Sequence, residues 1–264
     1  MKYTILTLFP EITDAFFGTS IMAKAIQRGI IDYRAINIRD FAFDKHKTCD
    51  DAPYGGGPGM LMLPEPLGRA LEAAGVRKKD AGKTDKRVIH LSPSGRPFDQ
   101  ALAWELAGEQ ELVLLCGRYE GIDQRVIDLY IDEEVSVGDY VLSSGEVAAL
   151  AIVDATYRLI GRVITPESLD EESFSGGLLE YPQYTRPEIY DTIKVPDVLI
   201  SGHHEKIRRW RLERRVEKTL RNRPDLILRG RESGLFDGET NGIIDRLLPA
   251  EGNVAEGDMR NERD

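Results

Sequence analysis

Glu111-Leu112-Val113-Leu114-Leu115-Cys116-Gly117-Arg118-Tyr119-Glu120-Gly121 is the stretch that decides the fold. Its first half is a continuous apolar run, the pattern of a strand buried on both faces, and its second half is a polar turn bracketed by glycines. A strand covered on both faces needs helices on either side of the sheet, and the surrounding sequence supplies them. Tyr3 to Leu8 and Tyr33 to Ile38 read as strands, with a helical pattern over Ile12 to Arg28 between them. Pro64 to Ala74 reads as helix, Arg87 to Leu91 as strand and Phe98 to Ala107 as helix. Beyond the central run, Ile122 to Tyr130, Glu134 to Val137 and Gly145 to Ile160 read as helix, strand and helix. This alternation predicts an α/β domain with a largely parallel sheet over residues 1–164.

Thr165 to Arg186 breaks into Pro, Ser, Gly and acidic residues and reads as a linker. Residues 187–264 then read as a smaller helical domain. Its main element is a long basic helix over His203 to Asn222, closed by Arg223-Pro224, with Ile207, Trp210, Val216 and Leu220 as its expected buried stripe. Glu251 to Asp264 forms a polar tail.

Composition excludes several classes. The 264 residues are 41% apolar and 30% charged, as in ordinary globular domains. Two cysteines, Cys49 and Cys116, cannot make a disulfide framework and fit a reducing cytoplasm. No apolar run reaches the roughly 20 residues of a membrane span, and Met1 to Pro10 lacks the pattern of a secretory signal, so a soluble cytoplasmic protein is expected. Net charge is −10, which taken alone opposes nucleic-acid binding. Its distribution reverses that inference. His203 to Arg231 carries eleven basic and four acidic residues, so this segment is +7 and the remainder −17, with nine acids facing three bases from Glu232 onward. A Lys/Arg-rich face is most often only a solvated surface, but this concentration predicts a phosphate-binding helix.

Four loops could carry chemistry. Asp50 to Met60 holds Tyr54-Gly55-Gly56-Gly57-Pro58-Gly59, whose backbone can approach a ligand or partner closely, and it lacks the Lys-Ser/Thr of a P-loop. The other three each follow a predicted strand: Ser92-Pro93-Ser94-Gly95, Gly117 to Gly121, and Gly138-Asp139-Tyr140 to Gly145. Any one could be a plain βα turn. Ligands of open α/β sheets bind beyond the carboxyl ends of the strands, so the three together predict one composite pocket. His46, His90, His203 and His204 have no zinc-type spacing with the cysteines, and no Gly-x-Ser-x-Gly elbow is present.

Taken in order, Tyr54-Gly-Gly-Gly-Pro-Gly-Met60, Ser92-Pro-Ser-Gly95, Gly117-Arg-Tyr-Glu-Gly-Ile-Asp123, Val137-Gly-Asp-Tyr-Val-Leu142, Leu178-Leu-Glu-Tyr-Pro-Gln-Tyr-Thr-Arg-Pro187 and Ser201-Gly-His-His204 resemble the bacterial tRNA (guanine-37-N1)-methyltransferase family TrmD, of the SPOUT superfamily. The resemblance covers residues 1 to about 230. It implies a deep trefoil knot in the α/β domain, a homodimer with active sites at the subunit interface, and S-adenosylmethionine as methyl donor. By motif match the donor's contacts would be Leu91, Ser92, Pro93, Gly95, Gly117, Tyr119, Glu120, Gly121, Val137, Gly138, Asp139, Tyr140, Val141, Leu142 and Gly145. The implied partner is a tRNA with guanine at positions 36 and 37, contacted through Tyr54, Gly59, Arg118, Arg186, His203, Lys206 and Arg209. Dependence on Mg²⁺ is also implied, with no site assigned.

Guanine N1 carries a proton at neutral pH, so methylation there needs a base near N1 and a cation or donor near O6. The resemblance assigns these roles to Glu172, before Ser173-Phe174, and to Arg158, four residues after Asp154. The family usually has Asp at the first position; Glu keeps the function with one more methylene, and Asp170 is the alternative carboxylate. A second departure is Ser143-Ser144-Gly145-Glu146, where the family commonly has Thr-Gly-Gly-Glu. Two other readings share these residues: a SPOUT enzyme acting on ribose or another base, and a catalytically silent RNA-binding protein.

Overall fold

The computed structural model describes residues 1–82, 85–164 and 171–248. The chain divides into two compact units, Met1–Thr165 and Pro166–Asp264.

The first unit is built on five parallel strands: β1 (Lys2–Thr7), β2 (Asp32–Asn37), β5 (Lys86–Pro97), β6 (Glu111–Leu115) and β7 (Glu133–Ser136), in the order β2-β1-β6-β5-β7. Two short strands, β3 (Asp50–Asp51) and β4 (Leu61–Met62), pair antiparallel on either side of the glycine-rich loop. The helices are α1 (Pro10–Phe17), α2 (Ser20–Gln27), α3 (Pro64–Ala73), α4 (Gln100–Ala107), α5 (Gln124–Tyr130) and α6 (Gly145–Tyr157).

Period-two alternation assigns each strand residue to one of two cores. Tyr3, Ile5, Ile89, Leu91, Leu112 and Leu114 pack with helices α1, α2, α4 and α6; Leu6, Val88, Val113 and Leu115 pack with α3 and α5 on the opposite face. Strand β6 is covered on both faces, and its residues 112–115 are fully buried. At roughly 1.5–3 kcal/mol per buried aliphatic side chain, that four-residue run stabilises the sheet more than any surface ion pair could.

Two departures from the sequence pattern have local causes. The helical pattern over Ile12 to Arg28 is two helices: Gly18 and an extended Thr19 interrupt it, and Ser20 takes a left-handed φ of 57°. Strand β5 does not stop at Leu91 but runs to Pro97. Leu91 and Arg96 both align with Val135 of β7, so Ser92 to Gly95 is thrown outward as a bulge within a strand rather than a loop after one. Gly95 is required there, because a side chain would collide with the backbone of Glu134 and Val135.

The second unit contains the hairpin β8 (Ile189–Tyr190) and β9 (Ile193–Lys194), and helices α7 (Asp197–Ile200), α8 (His204–Asn222), α9 (Pro224–Glu232) and α10 (Gly238–Leu247). Its core is Leu178, Val216, Ile227, Phe236, Ile243 and Ile244, with Leu212 and Leu220 at its edge. Val216 and Leu220 of the expected stripe contribute, whereas Ile207 and Trp210 are only half-buried and Trp210 lies beside Tyr184, ring centroids 6.4 Å apart. The stripe is displaced because the apolar contact comes from α9, α10 and Leu178, which meet the later turns of α8.

Part of the stretch read as linker is built onto this unit. Leu178 is in the core, Arg215 donates to the carbonyls of Ser175 and Leu179, and Leu179 N–H donates to Thr219 Oγ1 at 2.9 Å. Residues 165–170, including Asp170, and the tail Glu251 to Asp264 lie outside the described residues. No helix among the described residues is long and apolar enough to cross a membrane.

Candidate active site

Strands β6, β5 and β7 are consecutive in the sheet, so the three loops at their carboxyl ends converge. They enclose a cavity of about 240 Å³, lined by Leu91, Ser92 and Pro93 from the β5 bulge, Gly117 to Gly121 after β6, Val137, Gly138 and Tyr140 to Gly145 after β7, and Ala148 of α6. Of the sequence-predicted cofactor residues, Gly95 and Asp139 do not line it. Gly95 is pressed against the β7 backbone, and Asp139 is exposed at the crest of its turn. His90, Val135, Ser136, Ser143 and Ser144 line it unforeseen. Strand alternation could have found His90 and Ser136, since both lie near the carboxyl ends of strands whose loops were already suspected.

Backbone geometry makes this wall. Gly145 N–H donates to Gly117 O at 2.9 Å, tying the start of α6 to the β6 loop. A β-carbon on Gly145 would lie 2.8 Å from Cys116 Cα and from Gly117 N, so only glycine lets the two segments approach. Gly138, at φ 149°, and Tyr140 form a tight turn, closed by Tyr140 N–H to Gly138 O at 2.9 Å and Tyr140 O–H to Val137 O at 3.3 Å. Tyr119 holds a left-handed φ of 58°, a conformation costly for a bulky residue and found where surrounding contacts over-determine it.

The glycine-rich loop joins the same construction. Glu120 N–H donates to Met60 O at 3.0 Å and Met62 N–H to Gly121 O at 3.0 Å, while Gly59 packs against the Glu120 side chain. Gly55, Gly56, Gly57 and Gly59 all have positive φ. Tyr54 at its head is fully exposed, and Arg118 lies over the Phe9 ring at 4.7 Å while also lining the cavity.

Glu146 in the first turn of α6 is 1% exposed and accepts a 2.5 Å hydrogen bond from Thr7 Oγ1, while its Oε2 has no hydrogen-bond partner among the described residues. Burial, with Glu146 nearby, pushes the Cys116 thiol well above its ordinary value, and burial also raises that of Cys49. Neither thiol is set up as a nucleophile. Among the described residues no group of three or more His, Cys, Asp or Glu side chains could hold a metal ion.

Arg158 caps the carboxyl end of α6 in the first unit and is half-buried. Glu172, in the second unit, is half-buried in a compact turn: its carbonyl accepts from Ser175 N–H at 3.1 Å, Phe174 N–H donates to Leu178 O at 2.8 Å, and Ser173 Oγ accepts from Glu180 N–H at 3.1 Å.

His203 at the start of the basic helix and Lys206 and Arg209 on it are exposed, as is Arg186 ahead of it, and Arg209 Nε lies 3.6 Å from Glu213 Oε1. Much of the remaining positive charge is engaged within the unit. Arg208 pairs with Glu205 and Glu239, Arg211 with Glu171, Arg214 with Glu217, and Arg223 and Arg229 with Asp225. The +7 already counts Glu205, Glu217 and Asp225; the acids that offset it further lie outside the segment, Glu171 on Arg211, Glu239 on Arg208 and Asp245 on Arg231.

The family model described as tRNA (Guanine-1)-methyltransferase TrmD matches residues 1–229. Proteins named tRNA (guanine-N(1)-)-methyltransferase are similar over nearly their whole lengths. That of Treponema denticola is 60% identical, covering 92% of this chain and 98% of its own. That of Treponema pallidum is 56% identical, covering 94% and 96%, and that of Borreliella burgdorferi 54% identical, covering 92% and 98%.

Proposed function

The chain belongs to the TrmD family of tRNA (guanine-1)-methyltransferases, and from that premise we propose how its own residues carry methyl transfer from S-adenosylmethionine to N1 of guanine in tRNA. The reading extends to guanine 37 as target, a cytoplasmic homodimer with active sites at the subunit interface, and a trefoil knot formed by the loops around the cavity. Residues 165–186 are proposed as the connection that carries the base.

The observation that carries the proposal is the cavity enclosed by three loops at adjacent strand ends. Glycine contributes several of its lining residues, and at Gly145 the α6 start and the β6 loop approach too closely for a side chain, which suits a ligand recognised partly through peptide N–H and C=O groups. When bound, the donor supplies an electrophilic methyl on a sulfonium. Around it, the β6 and β7 loops and the start of α6 bind, orient and exclude water. Tyr119 and Glu120 stand where the β6 loop meets the glycine-rich loop, so this junction is the proposed entrance for the base, which must leave its stack to reach an enclosed donor.

Glu172 is the proposed general base, accepting the N1 proton as the N1–methyl bond forms and the sulfonium–methyl bond breaks. Arg158 is the proposed partner of O6, where negative charge grows. Arg118, Arg186, His203, Lys206 and Arg209, with Tyr54 and Gly59, are the proposed RNA contacts; cations position the phosphates and Tyr54 offers a stacking face.

The test is transfer of a labelled methyl to unmodified tRNA with guanine at 36 and 37, followed by digestion and identification of the nucleoside. The expected product is 1-methylguanosine at position 37; methylation of ribose or another base would refute the target. Glu172→Gln should lower turnover by roughly 10²–10⁴-fold while donor binding persists. Unchanged turnover would move the base elsewhere.

A further inference from the structure

His90 is a buried side chain that the methyl-transfer chemistry above does not use. It is 5% exposed, near the end of β5 opposite Leu115 of β6, and it lines the cavity. Its one side-chain hydrogen bond among the described residues runs from Nδ1 to Leu115 O at 3.3 Å. A carbonyl oxygen can only accept, so Nδ1 carries the hydrogen and Nε2 of the neutral ring is a bare acceptor. Burial holds the imidazole below its ordinary value, outweighing the Leu115 hydrogen bond and the charge of Glu134, so the neutral form prevails near pH 7. The ring is wedged against the β6 loop: a β-carbon on Gly117 would lie 2.9 Å from Cε1. That packing restrains the ring beside the β6 loop, and His90 is one of the residues that line the cavity.

We propose that His90 is a ligand-recognition residue whose Nε2 accepts a hydrogen bond from an N–H or O–H donor of the molecule held in the cavity. The proposal rests on that molecule being the methyl donor. Two parts of the donor carry suitable hydrogens: the adenosine, through its amine and hydroxyls, and the amino-acid end, through its ammonium. Acceptor chemistry is common to both.

The experiment measures binding of S-adenosylhomocysteine to wild-type, His90→Leu and His90→Gln proteins by calorimetry, with 5′-methylthioadenosine as a second ligand lacking the amino-acid end. His90→Leu should weaken binding roughly 5- to 100-fold, because a ligand donor is left buried without a partner. His90→Gln, which keeps an acceptor, should bind within about threefold of wild type. A leucine penalty that persists with 5′-methylthioadenosine assigns the bond to the adenosine, and one that vanishes assigns it to the amino-acid end. In ¹⁵N spectra, where only four histidines contribute, the His90 Nε2 resonance should shift on ligand addition while Nδ1 stays protonated. Equal binding by wild type and His90→Leu, or equal weakening by Leu and Gln, would overturn the inference and leave the methyl-donor reading intact. Absence of binding by wild type would overturn both.

Discussion

Thr7→Val isolates the bond that anchors the cavity wall. Thr7 Oγ1 donates to Glu146 Oε1 at 2.5 Å, linking the end of β1 to the first turn of α6 across 139 residues of sequence, and it accepts from Phe9 N–H at 2.9 Å. Valine has nearly the same shape but no hydroxyl, so the substitution leaves no large void. It does leave the Glu146 carboxyl group, 1% exposed, without a hydrogen bond to either oxygen, since Oε2 already lacks one. An unpartnered buried group of this kind costs about 3 kcal/mol, or roughly 6–12 °C in melting temperature at 2–4 °C per kcal/mol. In a Glu146→Gln background the acceptor is uncharged and the same Thr7 substitution should cost only about 1 kcal/mol. The chain has two tryptophans, Trp104 on α4 and Trp210 on α8. With Trp210→Phe as the parent, Trp104 fluorescence reports unfolding of the first unit alone, and α4 packs directly on α6. Because Gly145 precedes Glu146, affinity for S-adenosylmethionine should fall along with stability. A cost below about 1 kcal/mol, or the same cost whether the acceptor is the native carboxyl or the Glu146→Gln amide, would refute the account of Glu146 as a buried group dependent on Thr7.

Gly145→Ala should place a methyl 2.8 Å from two backbone atoms of the β6 loop; overpacking of about 1–3 kcal/mol predicts roughly 5- to 150-fold weaker donor binding by calorimetry, and unchanged binding would show that the loops separate freely. Lys206→Ala and Arg209→Ala should each weaken tRNA binding whatever the sequence and reduce the slope of log K against log salt by about 1, as read by filter binding; a change in base preference instead would contradict a phosphate contact. Glu111 is half-buried, which raises its carboxyl value, yet hydrogen bonds from Lys86 and Thr4 bring it below the ordinary 4.5. Its contribution is therefore present above about pH 4.5 and lost as pH falls through the lower folded value, so Glu111→Gln should flatten the acid limb of the stability curve in denaturant titrations between about pH 3 and 5, and an unaltered limb would contradict the ion pair.

The sheet was largely legible because burial imprints a short period. The run Leu112 to Leu115 has no polar residue to expose, so it had to be an inner strand, and the turns beyond neighbouring strands had to meet at one edge. The break at Gly18, the outward bulge at Ser92 to Gly95 and the displaced stripe on α8 were not legible. The break at Gly18 is set by local backbone geometry that the helical period does not report, whereas the other two depend on a partner outside their own segments: the packing of β5 on β7 fixes the bulge, and α9, α10 and Leu178 choose which face of α8 is buried. The charge of the basic helix was correct as a sum, but its ion pairs with Glu171 and Glu239 could be found only in space.

By itself, the sequence determined most strands and helices of the first unit and the basic helix of the second, which turns carry glycine, and which motifs recur in order. Those properties are local: periodicity, turn chemistry and residue type do not need a distant partner. Tertiary structure alone decided that His90 lines the cavity with Nδ1 bonded to Leu115 O, that Thr7 holds Glu146, and that Gly145 must lack a side chain. In each case the deciding atom belongs to a strand or loop far along the chain, and the hydrogen bond or close contact that gives the residue its role exists only once the sheet is assembled.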